Sequence, residues 1–158
     1  MQTLEITKAN ALAAYQAANE VGKKLLSDLF GEKTFSEKIT DMVKTFEDAC
    51  AIRGVNPNDV LPYASPVNKE QKAINAIAKI SFIRSVLNEG WQPDWTNNSE
   101  YKYYPFFDMT AGSGLSYFDY DHSLSYSDVG SRLCFKSAEL ARYAGSQFAD
   151  IYADFFII

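Results

Sequence analysis

His122 is the only histidine of the chain, and it closes the run Asp119-Tyr120-Asp121-His122, with Asp128 further on. On a strand the side chains at 119 and 121 share a face. Two carboxylates beside one imidazole are a donor set that suits Mn²⁺, Fe²⁺ or Zn²⁺. Asp119, Asp121, His122 and Asp128 are therefore the candidate metal ligands, and the centre of a metal-dependent or hydrolytic reading of the chain. A calcium loop counted from Asp119 fails, because Leu124 stands where glycine is needed and Gly130 where the bidentate glutamate belongs. The structural alternative is a set of charges that keeps an edge strand from pairing, and these residue types favour it. Any Ser-His-Asp or Cys-His site would have to use His122 as well. Gly112-Ser113-Gly114 is not a nucleophile elbow, and neither AGSGLS nor DVGSRL carries the lysine and spacing of a phosphate loop. Arg132 lies two positions from Cys134, where a cation lowers a thiol pKa, but an inert buried thiol is the commoner state of such a cysteine. No catalytic residue and no cofactor are assigned.

The segment from Trp91 to Tyr126 holds 11 of the 23 aromatic residues. Alternation along a strand cannot bury all of them on one face, and Tyr and Trp are enriched where one end is apolar and the other wet. Trp91, Trp95, Tyr101, Tyr103, Tyr104 and Phe107 are the candidate binding residues. Stacking single-stranded nucleic acid needs positive charge interleaved with the rings. Lys102 is the only base between 91 and 126, against Asp94, Glu100, Asp108, Asp119 and Asp121. That balance weighs against nucleic acid and leaves a protein partner or self-association.

Helices and a small sheet have to position these groups. Ala11, Ala14, Ala18, Val21, Leu25 and Leu29 recur at helical spacing, which predicts one long helix from about Thr7 to Phe30, stopped by Gly31. A second helix is expected over about 45–53, capped by Thr45 and ended by Gly54. A proline-marked connection with Pro57, Pro62 and Pro66 follows. A third helix starts at Asn68, closes at Gly90, and shows Ile74, Ile77, Ile80, Phe82, Ile83, Val86 and Leu87 on a wide apolar face. YKYYPFFDM and LSYFDYD predict a β-hairpin over about 101–121, joined by the Gly-Ser-Gly turn. Pro105 lacks a donor, which places its strand at an edge or a bulge. A third strand is expected at about 132–136 and a C-terminal helix over about 138–156. The whole is an α+β arrangement with a helical N-terminal half.

At 158 residues the chain fits a single domain, 1–158, with 1–31 as a helical extension. The net charge of −5 lies entirely beyond residue 90. Two isolated cysteines indicate reduced thiols, and no apolar run reaches the length of a membrane span. The N-terminal residues lack the basic and apolar regions of a signal peptide, so a cytoplasmic location is expected.

The strings NEGWQPDW at 88–95, YKYYPFF at 101–107 and VGSRLCFKS at 129–137, with KTFEDACAIRG at 44–54, resemble a family of short phage- and prophage-associated proteins of gut bacteria. The resemblance covers about residues 38–158 and implies a mobile-element origin; it assigns no role to any residue. The resulting expectation is a non-enzymatic protein-binding or assembly module that uses an aromatic-rich surface.

Overall fold

The computed structural model describes residues 6–35, 38–110, 115–126 and 132–157. The chain divides into two units, Met1–Met42 and Val43–Ile158, and the expected extension 1–31 lies within the first. The predicted long helix is broken. α1 (Lys8–Ala17) ends at Ala18, whose backbone is extended, and α2 (Glu20–Phe30) begins anew at Asn19. The Oδ1 atom of Asn19 accepts the Gly22 N–H at 2.9 Å. Asparagine satisfies an orphan N–H better as a cap than as an interior residue, and here that preference overrides the continuous apolar period. A short 3₁₀ turn (Glu32–Phe35) folds back, so that Phe35 stacks on Tyr15 at 4.4 Å, and α3 (Ile39–Met42) closes the unit.

The second unit is organised by α6 (Lys69–Leu87). Its buried face comprises Asn75, Ala76, Ile80, Ile83, Arg84, Val86 and Leu87, whereas Ile74 and Ile77 of the expected face are exposed. α4 (Phe46–Arg53) packs against it, started by a Thr45/Asp48 capping box and ended by Gly54 at φ 65°. The proline-marked connection contains one helical turn, α5 (Pro57–Val60). Asn75 pins that connection by accepting the Tyr63 N–H at 3.0 Å and donating to the Tyr63 carbonyl at 2.8 Å.

β1 (Lys102–Asp108) and β2 (Ser116–Ser123) pair antiparallel, with a bulge opposite Phe106/Phe107 that leaves Phe118 unpaired. The Gly-Ser-Gly turn lies outside the described residues. The expected third strand shrinks to one bridge: Tyr103 and Phe135 exchange both backbone bonds, at 3.1 and 2.7 Å. Those bonds leave β1 on the side away from β2. Pro105, two residues on, presents the same side and has no N–H to give, so pairing cannot continue toward Leu133. The proline thus costs the hairpin nothing and ends the third strand.

The C-terminal helix is also two, α7 (Ala138–Gln147) and α8 (Ala149–Phe156), separated by the buried Phe148. The kink lets α7 lie on the hairpin while α8 lies along α6. Gly145 makes the first contact close. A Cβ at that position would fall 2.4 Å from the Tyr117 ring and 2.8 Å from Pro105 Cβ. The architecture among the described residues is α+β, with eight helices, one two-stranded antiparallel sheet and a helical C-terminus. No described helix is long and apolar enough to cross a membrane.

Candidate functional site

The hairpin sorts its aromatics by register. Tyr103, Pro105 and Phe107 oppose His122, Tyr120 and Tyr117, and this face meets α7 and α8. Phe107 lies 4.8 Å from Tyr152 and 5.7 Å from Phe156, and Arg142 of α7 sits 4.5 Å from the Tyr120 ring. Of the six candidate binding residues, Phe107 is therefore a core residue. Trp91, Trp95, Tyr103 and Tyr104 are half-buried and Tyr101 is exposed. The outward aromatics are two others, Phe106 and Phe118, 51% and 70% exposed with ring centroids 6.4 Å apart. Alternation turns Phe106 outward, and the bulge turns Phe118 the same way, which alternation alone does not reveal.

Asp119 and Asp121 lie on the free edge of β2, and each accepts the N–H of the next residue, Tyr120 at 2.9 Å and His122 at 2.7 Å. Tyr120 and His122 oppose Pro105 and Tyr103, whose own polar groups point away from β2, so these two N–H groups are the outward ones. The carboxylates thus occupy the donors that an incoming strand would use. Asp119 also lies 3.6 Å from Arg142, and His122 packs its ring on Tyr101 at 4.3 Å. Among the described residues no group of three His, Cys, Asp or Glu side chains converges on one point, and Asp128 lies outside them.

The most unusual chemistry surrounds Trp95. The chain reverses after α6 through Glu89 and Gly90, both at positive φ, and runs into a loop built from side-chain turns. Asp94 accepts the Thr96 N–H at 2.9 Å and its hydroxyl at 2.7 Å, and these bonds hold its carboxyl below the usual range. Asn97 accepts the Ser99 N–H, and Glu100 reaches back to the Asp94 N–H, each at 2.9 Å. Lys102 threads into this loop, fully buried. Its Nζ donates to the carbonyls of Asn97 at 3.1 Å and Glu100 at 2.8 Å, lies 3.3 Å from the Glu100 carboxylate and 5.5 Å from the Trp95 ring.

A cleft of about 300 Å³ opens beside the same tryptophan, lined by Arg84, Gln92, Pro93, Trp95 and Arg132. Arg84 is 6% exposed, and among the described residues its Nε and Nη1 have no hydrogen-bond partner; neither does the buried Trp95 Nε1. Burial, and secondarily Arg132, lowers the pKa of Arg84, with Cys134 acting in the opposite direction. Arg84 sits on α6 four residues before Asn88, which is buried and donates to the Cys134 carbonyl at 2.9 Å while accepting the Lys136 N–H at 3.0 Å. That clasp holds the Arg132-bearing segment against the end of α6. Neither Arg84 nor the cleft was foreseen from sequence. The available signal was an arginine inside the apolar stripe ISFIRSVL, where a charge is rarely buried without a reason.

No protein-family model matches the chain, and no curated protein or solved structure is found similar to it.

Proposed function

We propose that the chain is a non-enzymatic protein-binding module, of phage or prophage origin, whose docking surface is the outer face of the hairpin. The supporting observation is the Phe106–Phe118 pair, two phenyl rings in mutual contact and turned to solvent. Exposed aromatics in contact are the usual anchors of an interface. Met109, at the end of β1, is half exposed and extends the apolar surface. Asp119 stands opposite Phe106, with Arg142 near it, Asp108 follows two residues on, and the only base of the segment, Lys102, is buried and internally paired. The partner this surface suits is therefore a different protein with a basic rim around an apolar patch. A second copy is disfavoured, because it would set acid against acid and because Asp119 and Asp121 block the strand edge.

A photo-crosslinking amino acid placed at 106 or at 118 tests this in the native cell. One discrete adduct with a different protein is expected, absent when the same probe replaces the exposed Lys69. An adduct with a second copy of the chain, or no adduct from either position, overturns the reading.

A further inference from the structure

We propose that the cleft between Arg84 and Arg132 is an oxyanion-binding site that takes a carboxylate or phosphate group. The inference is independent of the hairpin surface. It starts from donors without acceptors: among the described residues, Arg84 Nε, Arg84 Nη1 and Trp95 Nε1 are buried and unpartnered at one cleft. A buried polar group without a hydrogen bond is costly, and a guanidinium does not escape the cost by losing its proton. Lining the same cleft is a second guanidinium, Arg132, and no acidic side chain among the described residues. Of the carboxylates close in sequence to the lining residues, Glu89 is paired with Lys136, Asp94 with Thr96 and Glu100 with Lys102, and Asp128 lies outside the described residues.

Water alone would satisfy the donors without relieving two like charges that share one cleft. An oxyanion does both, because its oxygens accept charge-assisted hydrogen bonds from both guanidinium groups and from the indole N–H. The dimensions set the class of ligand. About 300 Å³ is at the lower limit of ligand pockets, enough for one oxyanion group with a short attached chain. Gln92 at the wall adds an amide, which serves an ester or amide oxygen next to that group.

Isothermal titration calorimetry at constant ionic strength, with inorganic phosphate and with succinate, tests the site on the full chain. At least one is expected to saturate with a Kd of about 1 mM or tighter. Phosphate alone assigns a phosphoryl ligand, and succinate alone a carboxylate. Arg84→Met is expected to weaken binding by about 100-fold and Arg132→Gln by about ten-fold. Trp95→Phe, which removes only the N–H, should weaken it about five-fold. Arg132 is exposed, so Arg132→Gln remains decisive if the Arg84 variant does not fold. Failure of both anions to saturate, or an unchanged Kd in Arg132→Gln, overturns the proposal.

Discussion

Two buried cations flank Trp95, and they are treated in opposite ways. Lys102 is wholly enclosed, yet its ammonium meets two carbonyls, a carboxylate and an aromatic ring. Arg84 is almost as enclosed and, among the described residues, keeps two of its donor nitrogens unmet beside another guanidinium. The first arrangement organises a loop: every bond of Lys102 ends on the segment 97–100, so the cation is the core around which that segment is wrapped. The second arrangement organises nothing nearby. A charge buried without acceptors is a stability deficit that a ligand can offset, and the contrast separates a structural cation from a binding one.

The contrast breaks most readily at Lys102. Lys102→Met keeps the stem volume, strands two carbonyls and removes the counter-charge of Glu100, so the second unit should lose about 3 kcal/mol in urea unfolding. A loss below about 1 kcal/mol would show that water replaces the ammonium and that the lysine does not organise the loop. Asn88 belongs on the same side of the comparison, since both of its amide functions are used.

Arg84→Met should behave in the opposite sense. Without added anion its stability should change by less than about 1 kcal/mol, or rise, because an apolar side chain replaces a charge whose donors are half unmet. Phosphate or succinate should raise the Tm of the wild-type chain and leave that of the variant unmoved. A destabilisation as large as that of Lys102→Met would mean that bound water already satisfies Arg84, and the two cations would then be alike.

The legible parts of this molecule are those governed by local chemistry. Thr45 with Asp48, Asn68 with Gln71, Gly31 and Gly54 mark helix ends through bonds made within a few residues, and the structure has those ends where the residues are. The paired strands likewise follow from aromatic alternation. What alternation and period do not carry is competition between neighbours. Asn19 sits inside an unbroken apolar period and wins as a cap, and Phe148 interrupts α7 because its ring is wanted in the core. Ile74 and Ile77 have the right spacing for the buried face of α6, but Asn75 takes it through its two bonds to Tyr63. The candidate site was legible only in part. Trp95 belonged to the aromatic set, but the cleft depends on the pairing of residue 84 with residue 132, and that long-range contact leaves no local signal.

Cys134 offers the finest way to sharpen the comparison, because a thiolate there would be the missing counter-charge of Arg84. The balance of effects on this thiol argues against it. Burial raises its pKa, and that outweighs the opposing pull of Arg84 and the weaker one of Lys102. The folded pKa therefore lies above the unfolded one. The protonated thiol contributes stability fully below the unfolded value of about 8.5, and that contribution is lost as pH rises through the folded value. Ultraviolet thiolate absorbance of the native chain should accordingly stay flat to about pH 8.5. Stability should fall above that pH by up to about 1.4 kcal/mol per pH unit for each buried thiol, and less steeply in Cys134→Ala. Cys50, raised first by burial and then by Glu47, has no arginine among its influences and serves as the internal reference. If Cys134 instead ionised below about pH 8 while Cys50 did not, Arg84 would already hold an anion supplied by its own chain. The cleft would then be a closed ion pair, and the distinction between the two buried cations would disappear.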